Sequence, residues 1–381
     1  MRIIVYNSSS FGGCFDYGRE LLEAYQARPE IESCEWWIPA NAEVPESHGV
    51  RKLFLNDKPA ISSRLLRQLH FLYRVFLNPF ILYFRLAAAP PSLVILNDFE
   101  QLTAPIWTPF FRWTLASRHR FILILHDPDR DAYPPSLRWT IFSMKALTGL
   151  ADLAFYHNYL PEKTYYTDNG KCRYFDIPHG VFRMPSPDQA FHQLIKEKNK
   201  AGNKIMSIPG NIRHEKNYET AIEALSLLPE YSLLIAGAAS SARVSVDSYR
   251  QLAEKLGVSD RVIWMEHYLS PAELTAVMQV SDVVVLNYSD SFTSQSGILN
   301  VAAPFKKPLV VSDGRSSLAS VVRRFGMGIL VSGNGASGLS EAVRSAVETA
   351  SEKKLAWDAY LEYASWERHA DTAIQIFKEI S

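Results

Sequence analysis

The sequence predicts an α/β protein built from two doubly wound units, each a mostly parallel sheet with helices on both faces. Three observations carry this. Short apolar, β-branched runs alternate with amphipathic stretches through the first half of the chain. The same alternation restarts after residue 203, and a Pro- and Lys-rich stretch without strand character separates the two halves. At 381 residues the chain is also long for one domain, and two of about 150–200 residues each are the natural expectation.

In chain order, strands are expected over 2–6, 34–38, 93–97, 121–126, 153–157 and 173–177. Helices are expected between them around 17–26, 63–88, 102–117 and 136–150. Residues 178–203 carry three prolines and a Lys-rich patch, and read as the connection plus a surface excursion. The second half continues with strands over 204–208, 232–236, 262–265, 283–287, 309–312 and 328–331. Its helices are expected near 218–228, 248–256, 271–280 and 340–349. In the first of these, Tyr218, Ile222, Leu225 and Leu228 recur at three- and four-residue steps and form an apolar stripe. Two further helical pieces, near 352–363 and over 366–380, end the chain. The division predicted is 1–180 and 181–365, facing each other across a cleft, with 366–381 packing back on the first unit. Ligands of such sheets sit beyond the carboxyl ends of the strands.

Composition narrows the function. A 47% hydrophobic and 21% charged chain is that of a globular protein. Forty basic against forty acidic side chains argue against a nucleic-acid partner, which would call for a basic excess. Cys14, Cys34 and Cys172 are widely spaced and odd in number, which suits a reducing, cytoplasmic compartment. Residues 1–6 pass straight into a strand without a signal-peptide layout. No purely apolar run reaches about 18 residues, so no membrane-spanning helix is expected. Residues 64–91 are aromatic and aliphatic with Arg64, Arg67, Arg74 and Arg85 interspersed. They read either as a helix lying on a membrane surface or as a core helix interrupted at Pro79.

Four stretches carry candidate chemistry. The loop 7–13 follows the first strand, and Gly12 and Gly13 let its backbone approach a phosphate or sugar; the same pair also serves as a tight turn. With Gly18 they do not make the G-x-G-x-x-G spacing of a dinucleotide site, which weakens an NAD-dependent oxidoreductase using Glu35 for the ribose. His126-Asp127 ends an apolar strand where a histidine can donate to a sugar hydroxyl or shuttle a proton. After the first strand of the second half, Gly210 turns the chain and Arg213 and Lys216 place cations before a helix, suited to a leaving diphosphate. Finally, 287–296 is rich in hydroxyls and leads to a helix opening at Gly297. A diphosphate would dock there, on Ser294, Gln295, Ser296, Gly297 and Ile298, unless the stretch is an ordinary strand-to-helix connection. Glu266 and Asp290 are the remaining acids near strand ends.

With these segments in order, the chain resembles a glycosyltransferase of the GT-B fold, two Rossmann-like domains, in glycosyltransferase family 4. The resemblance rests on Phe11-Gly12-Gly13, His126-Asp127, Pro178-His179-Gly180-Val181 and the stretch Gly210-Asn211-Ile212-Arg213-His214-Glu215-Lys216-Asn217. The spacing over 261–282 and Ser365-Trp366-Glu367 at the terminal helix continue it. The resemblance implies a retaining hexosyltransferase that needs no metal or other cofactor. It implies a UDP- or GDP-linked nucleotide sugar as donor substrate, and a glycan or lipid-linked acceptor. Lys216 and Arg213 would hold the diphosphate, with Gly12, Gly13 and Asn211 close by. His126 would contact the donor sugar, and Glu266 to Tyr268 would meet the base. The family commonly has two glutamates eight positions apart before Pro308. This sequence has Phe292 or Thr293 in the first slot and Asn300 or Val301 in the second. A non-catalytic partner subunit of the same fold is the alternative this departure raises.

Overall fold

The computed structural model describes the chain except residues 46–47, 59–60, 62, 132–135, 169–170, 241–243, 291, 333–334, 353–355 and 381; at 351–352 it describes backbone alone. The chain divides into two compact units, Met1–Gly180 with Ala364–Ser381, and Val181–Tyr363.

The first unit is a seven-stranded, wholly parallel sheet. Its strands are β1 (Arg2–Tyr6), β2 (Ser33–Pro39), β3 (Val50–Phe54), β4 (Leu93–Leu96), β5 (Arg120–Leu125), β6 (Leu153–Tyr156) and β7 (Arg173–Asp176), in the order β3-β2-β1-β4-β5-β6-β7. Strands β1, β4, β5 and β6 are apolar on both faces because helices cover both, and the interior residues of all four are buried. Strand β3 was not expected: its Arg51 and Lys52 are exposed, as befits an edge strand that must discourage further pairing. The helices are α1 (Gly13–Gln26), α2 (Arg64–Ala88), α3 (Ala104–Thr114), α4 (Leu137–Leu150) and the single turn α5 (Thr164–Thr167).

Helix α2 resolves the two readings of its segment into two halves. Its C-terminal half is a core helix: Val75, Pro79, Leu82 and Leu86 are buried, and Asn78 Oδ1 accepts from Leu55 N at 3.1 Å. Its N-terminal half leaves Leu65, Leu66, Leu69, Phe71, Leu72, Tyr73 and Phe76 exposed. By length and composition α2 is apolar enough to cross a membrane, contrary to the expectation that no helix would be. The arginines that interrupt its apolar run did not outweigh the rest of it.

The second unit is a six-stranded parallel sheet of β8 (Lys204–Pro209), β9 (Tyr231–Ala236), β10 (Val262–Met265), β11 (Val283–Leu286), β12 (Leu309–Ser312) and β13 (Gly328–Val331), ordered β10-β9-β8-β11-β12-β13. The surface excursion expected over 178–203 instead contains a packed helix, α6 (Gln189–Lys198). Asp188 caps it by accepting from Phe191 N at 2.9 Å, and Phe191 and Ile195, one turn apart, are buried in the core. The two-residue stripe was hidden by the flanking prolines. Helices α7 (Tyr218–Ser226), α8 (Val246–Lys255), α9 (Pro271–Val280), α10 (Gly297–Ala302), α11 (Ser317–Phe325), α12 (Ala336–Glu352) and α13 (Trp357–Tyr363) follow. Helix α9 starts on a capping box of Ser270 and Glu273 with Pro271 in its first turn. The helix expected near 352–363 falls partly outside the described residues.

The last helix, α14 (Trp366–Lys378), belongs to the first unit and packs on α1. Tyr25 lies against Phe377 with ring centroids 6.1 Å apart, and Arg28 pairs with Asp371 at 3.0 Å. Gly180, at φ +85°, lets the backbone pass over the Trp366 ring: a Cβ there would lie 2.5 Å from it.

Candidate active site

In a doubly wound sheet the chain runs outward one way, returns, and runs outward the other way. The loops that diverge at this switch leave a crevice beyond the carboxyl ends of the strands. In the second unit the switch lies between β8 and β11. Two loops border it, 210–217 after β8 and 287–296 after β11.

The loop after β8 is pinned from beneath. Ile212 is fully buried, its amide donates to Ala238 O at 2.8 Å, and Ser240 N donates back to Ile212 O at 2.8 Å. Gly237 lies so close below that a Cβ there would come 2.3 Å from Gly210 O. Gly210 itself sits at φ +83°, and its missing side chain leaves room for Ile298 and for the Lys216 Nζ, 3.0 and 3.3 Å from where a Cβ would stand. Lys216 is 4% exposed, and its ammonium donates to Pro209 O. Burial, with Arg213 adding repulsion, pushes its pKa well below the usual lysine range.

The loop after β11 is tied to the first. Ser289 N donates to Glu215 O at 2.7 Å, and the Arg213 charge acts on the buried Tyr288 hydroxyl. Tyr288 is buried, stacks on Phe292 at 3.9 Å, and pairs with Ser296 Oγ at 3.0 Å. The structure therefore brings Gly210, Lys216 and Ile298 together, with the Arg213 charge near both Lys216 and Tyr288, and Tyr288 bonded to Ser296. One buried cation, Lys216, and one exposed cation, Arg213, beside a glycine turn can receive a compact, multiply charged anion.

The other residues of the second unit are placed differently. Ser296 does not cap α10; its buried hydroxyl is engaged by Tyr288 instead, so it is not directed at a ligand. Helix α10 is only six residues long, which leaves little dipole for an anion. Gly297 and Asn211 are exposed, and Ser294 is half-buried. Gln295 is half-buried, near the Tyr360 hydroxyl. Asn300, in the second glutamate slot, is fully buried and accepts from that same hydroxyl at 2.5 Å. Glu266 follows β10, separated from β8 by β9, and is ion-paired to Arg250, while Tyr268 is 54% exposed.

In the first unit the switch lies between β1 and β4. Gly12, at φ +84°, starts α1, and beyond both Gly12 and Gly13 a Cβ would meet open space. Asn7 and Asn97, at the ends of β1 and β4, are joined side chain to side chain at 3.0 Å, and both donate to Cys14 O. The Asn97 amide nitrogen is thereby used, so its oxygen accepts from His126 Nε2 at 2.8 Å. His126 thus carries its proton on Nε2. His157 Nδ1 donates to Ile177 O and His369 Nδ1 to Pro178 O, at 2.9 and 2.7 Å. Together with His179, these rings surround Tyr17. Burial lowers the pKa of all four histidines, His179 and His369 to about 4, so the cluster is neutral at pH 7. One ring nitrogen from each of His126, His157 and His179 lies within 4.8 Å of the others. Zinc, with nitrogens at ~2.0–2.1 Å, would require them to close in by more than an ångström.

His157, His179 and Tyr288 were not among the expected site residues. The histidines do stand at or just past the ends of predicted strands, and the adjacency of β5, β6 and β7 gathers them. Tyr288 follows β11 in the same way.

Residues 191–361, nearly all of the second unit, match the family described as glycosyl transferases group 1. Among curated proteins, the D-inositol 3-phosphate glycosyltransferase of Corynebacterium glutamicum is 25% identical over 179 residues, 45% of this chain and 42% of that protein. The chain thus spans about two fifths of the length of the curated relatives it matches. Among solved structures, sucrose-phosphate synthase from Thermosynechococcus elongatus superposes with a TM-score of 0.69 at 16% identity, covering 100% of this chain and 98% of that one. HepE of Anabaena, in complex with UDP, superposes with 0.65 at 15% identity, covering 100% and 99%. At these identities the likeness establishes the fold, GT-B, with its two Rossmann-like units.

Proposed function

We propose that this chain, whose second unit belongs to the glycosyl transferases group 1 family, moves a sugar from a UDP- or GDP-linked donor to a glycan or lipid-linked acceptor. The transfer retains configuration at the anomeric carbon, needs neither metal nor cofactor, and serves surface polysaccharide or glycolipid synthesis at the inner face of the cytoplasmic membrane. The observation that carries this reading is the buried Lys216 beside Arg213 at the β8–β11 switch. A lysine whose charge is penalised by burial regains it when an anion arrives, so the site is preset for a diphosphate.

As the bond between the anomeric carbon and the diphosphate breaks, negative charge grows on the leaving oxygen. Arg213 and Lys216, the latter held by Pro209 O, meet that charge. His126, with its proton on Nε2 held by Asn97, is placed to orient a sugar hydroxyl through its other face. Residues 64–91 make the peripheral membrane contact, through the exposed apolar side chains of α2.

A second reading is favoured by one observation. Asn300 stands buried in the slot where the family commonly has a glutamate, and Tyr360 occupies its side chain, so the chain could instead be a non-catalytic partner subunit. A thermal-shift screen over UDP, GDP, ADP and their sugars tests the binding reading, because a ligand of the native state raises its stability by mass action. Stabilisation by one nucleotide and its sugar supports it, and no shift with any of them refutes it. Release of free sugar from the stabilising donor then separates enzyme from partner subunit.

A further inference from the structure

Three histidines of the first unit meet at one place because of the register of its sheet. Leu125 of β5 pairs with Tyr156 of β6, so the residues that follow them, His126 and His157, stand side by side. Tyr156 pairs in turn with Asp176 of β7, and His179 lies three residues beyond it. Neighbouring strands run ~4.7–4.9 Å apart, which sets the scale of the cluster. Ring centroids are 5.7 Å apart for His126 and His157, 6.1 Å for His126 and His179, and 4.8 Å for His157 and His179. Tyr17 packs on all three, with centroids 4.5, 5.6 and 5.0 Å away, and holds them together.

A second observation concerns their hydrogen bonds. Each ring donates through one nitrogen to a carbonyl oxygen: His126 Nε2 to Asn97 Oδ1 at 2.8 Å, His157 Nδ1 to Ile177 O at 2.9 Å, and His179 Nδ1 to Gly180 O at 3.0 Å. A carbonyl oxygen only accepts, so the nitrogen facing it carries the proton, and the other nitrogen of each neutral ring carries a lone pair. Histidines that ligate metals are held in this way, one nitrogen on an acceptor and the other on the ion. One nitrogen from each of the three rings lies within 4.8 Å of the other two. A water has two hydrogens for three such lone pairs, whereas one cation serves them all.

We infer that His126, His157 and His179 form a three-nitrogen site for a divalent transition ion, zinc foremost, which enters past the half-buried His126. Imidazole nitrogens select such ions against magnesium and calcium, which take oxygen ligands. An ion at the centre of a triangle with 4.8 Å sides would lie about 2.8 Å from each nitrogen, against ~2.0–2.1 Å for zinc. Each nitrogen therefore moves in by roughly 0.7 Å, which a turn of each ring about its broad second torsion supplies. The sugar transfer proposed above needs no metal and uses His126, so an ion that takes this ring inhibits it. Only this consequence rests on the proposed function.

The test is isothermal titration of zinc chloride, with magnesium chloride for comparison, into the untagged full chain stripped with EDTA. The expected result is one zinc per chain and no binding of magnesium. His157→Gln should weaken zinc by more than the ~10–100-fold that loss of an outer hydrogen-bond partner costs. His126→Gln should do the same, and its half-buried position makes it the deciding variant if His157→Gln fails to fold. His267→Gln removes an exposed histidine of the second unit, paired with Glu273 at 2.7 Å, and should change nothing. Unchanged zinc affinity in a folded His126→Gln overturns the assignment, as does equal binding of magnesium, or a site lost in His267→Gln. Zinc should also slow donor turnover, and EDTA should restore it; full turnover with one zinc bound overturns the inhibitory role. Zinc binding in a chain that turns over no donor supports the site and sinks the catalytic reading alone.

Discussion

Lowering the pH from 7 to 4 should destabilise the first unit through its histidines, and the size of the effect follows from what surrounds them. His179 and His369 are buried and titrate at about 4, against 6.5 when exposed. Between those values the unfolded chain holds protons that the native rings refuse, so acid favours unfolding. Each ring loses roughly 3 kcal/mol over this window. Glu100 opposes them. Buried beside Asp98, it titrates at about 7 rather than 4.5, so its native carboxyl takes up a proton early and contributes roughly 3 kcal/mol in the other direction. The net loss between pH 7 and 4 is on the order of 3 kcal/mol, with His126 and His157 adding to it in the same direction. The assay is urea unfolding followed by tryptophan fluorescence, since six of the eight tryptophans lie in the first unit. Glu100→Gln should remove the opposing contribution and steepen the acid loss; His369→Gln should make it shallower. A stability that is flat from pH 6.5 to 4.5 in the wild type, or unmoved in both variants, would refute the reasoning.

Three further outcomes follow from single contacts. Lys216→Met should raise the melting temperature of the ligand-free protein, because it removes a buried cation, while lowering donor turnover by about 10²–10³-fold; calorimetry and a donor-release assay read the two effects. Gly180→Ala should destabilise the first unit by roughly 2–4 kcal/mol in urea, since it combines a positive φ with a contact 2.5 Å from the Trp366 ring. Gly237→Ala should weaken nucleotide binding without touching a ligand, because its Cβ would push on Gly210 O and lift the loop that carries Arg213; affinity by calorimetry measures it.

The elements that sequence reading located were those with one dominant signal. β11 is Val283-Val284-Val285-Leu286, a β-branched run suited to a strand buried on both faces. β3 escaped because Arg51 and Lys52 break its apolar pattern, and its edge position is a property of the sheet rather than of the segment. α6 escaped because two buried residues, Phe191 and Ile195, make too short a stripe to stand out among prolines. α11, with buried Leu318, Val321 and Val322, was passed over between two strands. The site divides likewise. Gly210, Arg213 and Lys216 are neighbours in sequence and could be read as one loop. Tyr288 meets Arg213 only because β11 pairs with β8, and the histidines meet only because β5, β6 and β7 are adjacent. Ser296 was expected to meet a diphosphate, but its hydroxyl is engaged by the Tyr288 hydroxyl, a partner that stands eight residues away in the sequence.

The account's central claim is that Lys216 and Arg213 form a receptacle for a nucleoside diphosphate. Isothermal titration of UDP and GDP into wild type, Lys216→Met and Arg213→Ala tests it most directly. The account predicts binding of one of the two nucleotides to the wild type, weakened at least about tenfold in each variant, since a hydrogen bond to a charged group contributes about 1.5–3 kcal/mol. Wild-type affinity retained in a folded Lys216→Met would contradict it.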